Sequence, residues 1–217
     1  MRRNLAAMIG AAAVYGFSAG IAHSLSFGLR NLWKVPLLLV GTAAVCGVAY
    51  YLCAALGGAR LGFVAVQRHT SAVFRDTALM LAGLSPVVVF LGRTIAPPGR
   101  DALGEYPLYL GLNVVFIAAA GTVALVRQAR RLLHQVSPRR SALIIGGWLA
   151  LSLCVGGQGA WYLRPFYGLA TVSAAETPIC LGAVADYRGA RNFFEAVLHL
   201  ATPPPLPPGA TYRGWAR

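Results

Sequence analysis

Five apolar runs, each about as long as a lipid bilayer is thick, constrain the fold of this chain more than any other feature. They cover residues 5–26, 35–56, 72–96, 107–126 and 142–163. A membrane-crossing helix needs about 20 mostly apolar residues, because its backbone polar groups must be satisfied within the segment. The runs therefore predict an all-α transmembrane helix bundle of five spans within residues 1–163.

The charge content indicates the same class of protein. Only 12% of the 217 residues are charged and 57% are hydrophobic, whereas about 25% of a soluble domain is charged. The net charge of +13 comes from arginines that lie mostly at the ends of the runs, where basic side chains contact lipid headgroups. No basic stripe with interleaved aromatic residues occurs, so no nucleic-acid binding is predicted.

The distribution of basic residues predicts the orientation of the spans. One side of the membrane would hold Arg2, Arg3, Arg60, Arg68, Arg75, Arg127, Arg130, Arg131, Arg139 and Arg140. The other side would hold Arg30, Lys34, Arg93 and Arg100. This asymmetry predicts that the first side is cytoplasmic, with the N-terminus inside and the C-terminus outside. A cleaved signal peptide is the alternative interpretation of the first run.

The arginines between the last two runs form a candidate contact with anionic lipid headgroups. They are Arg127, Arg130, Arg131, Arg139 and Arg140. The alternative is that they only anchor the helix ends on the positive-inside side.

A second candidate site is a layer of polar residues on the outer side of the spans. It would comprise His23, Arg93, Asn113, Gln158 and Arg164. Asn113 and Gln158 lie at matching depths, which predicts a hydrogen bond across their helix pair. The layer would serve either helix packing or a polar ligand pocket.

Three smaller features concern helix contacts. Pro86 predicts a bend in the third span because proline lacks an N–H. Asp76 is expected to pair with Arg127 rather than with its neighbour Arg75, since adjacent residues point about 100° apart on a helix. Gly16 and Gly20 form a GxxxG pair, whose partner helix belongs either to this chain or to another.

The chain after residue 163 is predicted to lie outside the cytoplasm. Residues 164–202 would hold a short amphipathic helix on the membrane surface or on the bundle, capped by Asn192 with Glu195 three residues later. Residues 203–217 form a proline-rich tail that favours an extended arm.

Several motifs resemble a family of bacterial five-span integral membrane proteins. The resemblance rests on Gln158-Gly-Ala-Trp161, on Arg164-Pro165-Phe166 and on Asn192-Phe-Phe-Glu195, where Phe194 replaces the family's tyrosine. The family is distantly similar to Yip1-like membrane proteins, but this chain lacks their long acidic N-terminal arm. The resemblance implies that the two tail motifs act together, with Arg164 clamping Glu195. It implies the cytoplasmic (inner) membrane of a bacterium as the location, and it implies no activity.

The functional prediction is an accessory or scaffolding subunit that packs against other membrane proteins or against itself. No GxSxG, HExxH or CxxC motif and no mid-membrane carboxylate occurs, so neither an enzyme, a metal site nor a cofactor is predicted. The alternative is a membrane protein that handles a lipid or small solute through the outer polar layer.

Overall fold

A computed structural model describes residues 2–95, 106–163, 192–195 and 198. Within them the chain is helical and no strand occurs, which confirms the all-α prediction. The six helices are α1 (Arg2–Ile21), α2 (Leu25–Leu56), α3 (Phe63–Gly83), α4 (Ser85–Ile95), α5 (Tyr106–Leu132) and α6 (Pro138–Leu163).

The long helices have the length and apolarity of membrane spans. Helices α1, α2, α5 and α6 each qualify alone, and α3 with α4 forms a fifth candidate that bends by 51° at its break. Pro86 stands in the first turn of α4, so the predicted bend is confirmed, and the missing N–H of proline is its physical cause. The described part of the chain is thus that of an all-helical membrane protein with four or five candidate spans.

Consecutive spans run antiparallel, as short connections between spans require. Contacts between α2 and α6 pair the end of one helix with the beginning of the other. A Cβ on Gly57, just after α2, would lie 2.8 Å from Ile144 near the start of α6. A Cβ on Gly159, near the end of α6, would lie 2.8 Å from Leu38 of α2. This pattern brings the α2–α3 connection and the α5–α6 turn to one end of the bundle. We call it the arginine end, because Arg127, Arg130, Arg131, Arg139 and Arg140 lie there.

The boundary between the first two spans differs from the prediction. The first run was expected to continue to residue 26, but α1 ends at Ile21 and α2 begins at Leu25. The cause is local: the Ser24 hydroxyl accepts a hydrogen bond from the Phe27 N–H at 3.3 Å and caps α2. Residues 28–34, predicted as a connection, therefore lie inside a helix of 32 residues, about 48 Å long.

The remaining differences also lengthen helices beyond the apolar runs. Helix α3 begins at Phe63 rather than at residue 72, α5 continues to Leu132 rather than to residue 126, and α6 begins at Pro138 rather than at residue 142. Arginine is a good helix former, so a run of apolar residues ends before its helix does. The predicted cytoplasmic stretch is consequently a tight helical hairpin at the arginine end.

Candidate functional site

Asn113 lies at the centre of a buried polar contact between α1 and α5. Its Oδ1 accepts a hydrogen bond of 2.8 Å from the Tyr15 hydroxyl, and its Nδ2 donates one of 2.8 Å to the Tyr109 carbonyl. The Tyr109 hydroxyl in turn donates to the Ala19 carbonyl at 3.4 Å. Tyr15, Tyr109 and Asn113 are each at most 1% exposed. We call these three residues the α1–α5 polar seam.

The predicted Asn113–Gln158 hydrogen bond is wrong. Both polar atoms of the Asn113 amide already bind α1 or their own helix, while α6, which carries Gln158, packs along α2 through Gly147, Gly156 and Gly159. Matching depth is a necessary condition for a contact, but it does not say which spans are neighbours.

The side-chain hydrogen bonds of Asn113 do not include the other described members of the predicted outer layer, His23, Arg93 and Gln158. Arg93 is exposed, and its Nη2 donates to the Ile21 carbonyl at 3.3 Å, at the end of α1. His23 lies in the turn before α2, with its ring 5.4 Å from the ring of Phe27. Arg164 lies outside the described residues. The described part of the layer therefore serves helix ends and helix packing.

A second polar contact, which the sequence analysis missed, joins α2 to α6. The rings of Tyr50 and Trp148 stack with centroids 4.7 Å apart, and Trp148 Nε1 donates to the Tyr50 carbonyl at 3.0 Å. The Tyr50 hydroxyl also bonds the Ser152 hydroxyl, which donates to the Trp148 carbonyl at 2.8 Å. An aromatic residue with a polar group in mid-span was the available signal, because such groups need a partner in lipid.

Asp76 ties together α1, α3 and α5, and its expected pairing with Arg127 is wrong. Its Oδ1 accepts from Arg75 Nε at 2.9 Å, and its Oδ2 accepts from Gln128 Nε2 at 2.6 Å. Arg75 also donates to Asn4 Oδ1 at 2.8 Å. The Cβ atoms of adjacent helical residues point about 100° apart. The arginine side chain is nevertheless long enough to bend back and reach the Asp76 carboxylate.

The five arginines of the predicted headgroup contact flank the helical hairpin. Arg127, Arg130 and Arg131 lie in the last turns of α5, Arg139 and Arg140 lie in the first turn of α6, and all five are exposed. A groove of about 470 Å³ opens between the hairpin and the α2–α3 connection, and its lining includes Arg60 and Arg140. We call it the arginine groove.

The short tail helix begins as predicted. The Asn192 Oδ1 accepts a hydrogen bond of 2.9 Å from the Glu195 N–H, which confirms the cap. A Cβ on Gly157 of α6 would lie 2.6 Å from the Phe193 ring, so the tail packs closely on the bundle. The expected Arg164–Glu195 clamp and the proline-rich segment 203–217 lie outside the described residues.

The site as a whole is a set of interhelical contacts. In the described ranges, no group of three or more His, Cys, Asp or Glu side chains is placed to hold a metal ion. The class that the helices define is an all-α polytopic membrane protein. No protein-family model, curated protein or solved structure matches the chain.

Proposed function

We propose that this protein is an accessory or scaffolding subunit of a membrane assembly, and that α6 is the helix that binds the partner. The observation that carries the proposal is a stripe of small residues along the exposed side of α6. Its members stand four residues apart and are all exposed: Ala142, Gly146, Ala150 and Cys154. We call it the α6 stripe.

The low burial of α6 within the chain supports this role. Its most apolar 18-residue window is 11% buried, against 28% to 33% in the other three long helices. Its buried residues are Ile144, Trp148 and Gly157. Ile144 lies against Gly57 at the end of α2, Trp148 stacks on Tyr50 of α2, and Gly157 lies against Phe193 of the tail. The stripe side therefore has no helix of the described chain against it, and a Cβ on Gly146 would meet no atom within 4 Å.

The α1–α2 crossing within the chain uses small residues in the same way, which supports a packing role for the α6 stripe. Gly16 and Gly20 of α1 face α2 so closely that a Cβ on Gly20 would lie 2.5 Å from the Phe27 carbonyl. Small residues let helix backbones approach, and in lipid this close packing drives association. The exposed side of α5 carries Leu108, Val115 and Val123, whereas α6 carries Leu143 and Leu153 beside its stripe of small residues.

The proposed setting is the cytoplasmic membrane of a bacterium, with the arginine end inside. The positive-inside rule supports this orientation, since the exposed arginines of the hairpin gather at one end. The alternative function, handling of a lipid or small solute in the outer polar layer, has less support, because both polar atoms of the Asn113 amide form hydrogen bonds within the α1–α5 polar seam.

Photo-cross-linking in native membranes tests the proposal. A photoreactive residue at Ala150 of the α6 stripe should give a discrete adduct of higher mass, while the same residue at the exposed Val115 of α5 should give none. A purified protein that has the mass of a lone monomer, with no adduct at position 150, would contradict the proposal.

A pair of glycine substitutions separates association from folding. Gly146→Leu should abolish the adduct or the co-purifying partner while the thermal midpoint of the isolated protein stays unchanged, because its added side chain meets no atom of the described chain within 4 Å of the Cβ. Gly121→Leu on α5 is the matched control, since its Cβ also meets nothing within 4 Å. Equal effects of the two substitutions would count against the α6 stripe.

A further inference from the structure

We propose that the arginine groove binds the phosphate of an anionic phospholipid headgroup. This inference is independent of the proposed function, since the groove lies at the helix ends and not on the α6 stripe. It assigns a defined site, with Arg60 and Arg140 as its cationic ligands, in place of a diffuse basic surface.

The backbone brings the two guanidinium groups to one concavity. Arg60 stands in the α2–α3 connection and Arg140 in the first turn of α6, and both line the groove of about 470 Å³. Gly58, at a φ of 75°, turns the connection sharply after α2, and its missing Cβ would lie 3.7 Å from Arg140 Nη1. The left-handed backbone at Gly58 thus places the connection directly beside the Arg140 side chain.

The charge of the groove is not neutralised by the described chain. The ion pair found in the described ranges joins Arg75 to Asp76. Asp76 is further engaged by Gln128, and the other described carboxylate, Glu195, belongs to the tail helix that packs on the opposite end of α6. Arg60 and Arg140 are both exposed and have no carboxylate partner among the described residues.

The lining matches a lipid headgroup better than a soluble anion. Guanidinium groups bind phosphate oxygens through two parallel charge-assisted hydrogen bonds. Beside them the groove presents the apolar side chains of Leu61, Leu132 and Val136, and the hydroxyl of Ser137. A phosphodiester that carries glycerol and acyl chains fits such a mixed wall at the end of a membrane span.

Native mass spectrometry of the full chain, released from nanodiscs that contain phosphatidylcholine and phosphatidylglycerol, tests the site. The wild-type protein should retain phosphatidylglycerol preferentially, and Arg60→Gln/Arg140→Gln should lower that retention about tenfold. The matched control is Arg130→Gln/Arg139→Gln, which removes the same charge from the same end but does not touch the groove lining. It should change retention less than about twofold.

Two further arms keep the result decisive. Ser137→Trp, which fills the groove without changing charge, should also lower retention. This variant tests the groove independently if the double arginine variant does not fold. Equal losses in the groove variant and in its control would overturn the site in favour of diffuse surface charge. Protection of the protein against thermal unfolding by inorganic phosphate in nanodiscs of phosphatidylcholine alone, lost in the groove variant, would overturn the lipid as the source of the phosphate.

Discussion

At the scale of single residues, the polar side chains inside the bundle stabilise contacts between helices. Asn113 satisfies both polar atoms of its amide, one with the Tyr15 hydroxyl and one with the Tyr109 carbonyl. Because no water is present in the bilayer core, an amide without such partners would cost several kcal/mol. The net gain from each bond is smaller, since the unfolded chain in a membrane also finds partners.

Substitution at the α1–α5 polar seam should show which residue Asn113 contacts. Asn113→Ala and Tyr15→Phe should each lower the free energy of unfolding in detergent by about 0.6 kcal/mol, with a maximum near 1.7. The double variant should lose less than the sum, because both remove the same hydrogen bond.

Gln158→Ala provides the control for this cycle. Its effect should add fully to that of Asn113→Ala, since Gln158 is not among the partners of the Asn113 amide. Coupling between Asn113 and Gln158, together with additivity between Asn113 and Tyr15, would contradict the described seam.

At the scale of elements, α1 and α2 cross with their backbones in close contact. A Cβ on Gly20 would lie 2.5 Å from the backbone of Phe27 and Gly28, so the two helices pack backbone to backbone. Ser24 caps α2 directly after the turn and fixes where the second helix begins. The crossing therefore depends on a few small residues rather than on the hydrophobic run that surrounds them.

Two glycines of the same helix provide a matched test of this crossing. Gly20→Ala should lower the free energy of unfolding by about 1–3 kcal/mol, because its methyl group overpacks a rigid backbone. Gly10→Ala should leave stability unchanged or raise it by up to about 1 kcal/mol, since its Cβ meets nothing within 4 Å and alanine favours the helix. Thermal midpoints in one detergent measure both, and equal effects would contradict the crossing.

The sequence predicted the type of the elements and the number of spans far better than it predicted which helices pack against each other. Apolar runs identified the helices because lipid demands long apolar segments, and Pro86 identified the bend. The starts of α2, α3 and α6 were missed, because Ser24 capping and helix-forming polar residues extend helices beyond the runs. The partners of Asn113 and Asp76 depend on which helices pack together, and no local pattern contains that information.

At the scale of the whole molecule, consecutive spans run antiparallel, and the arginines of the α5–α6 hairpin lie together at the arginine end. In that arrangement α6 contacts the rest of the described chain through α2, the tail and the hairpin with α5, and its stripe side stays exposed. The arginine groove lies at the arginine end, between the α5–α6 hairpin and the α2–α3 connection. The two proposals thus use different surfaces of one fold, the α6 stripe for a protein partner and the arginine groove for a lipid.

Our central proposal is that hydrocarbon surrounds five crossings: the four long helices, and α3 with α4 as one bent span. Reporters of cytosolic and exported location, fused to the N-terminus, inserted at the exposed Gln135 of the hairpin and fused to the C-terminus, test it most directly. The account predicts the first two positions in the cytosol and the third outside. A result that places both termini on the same side of the membrane would contradict it.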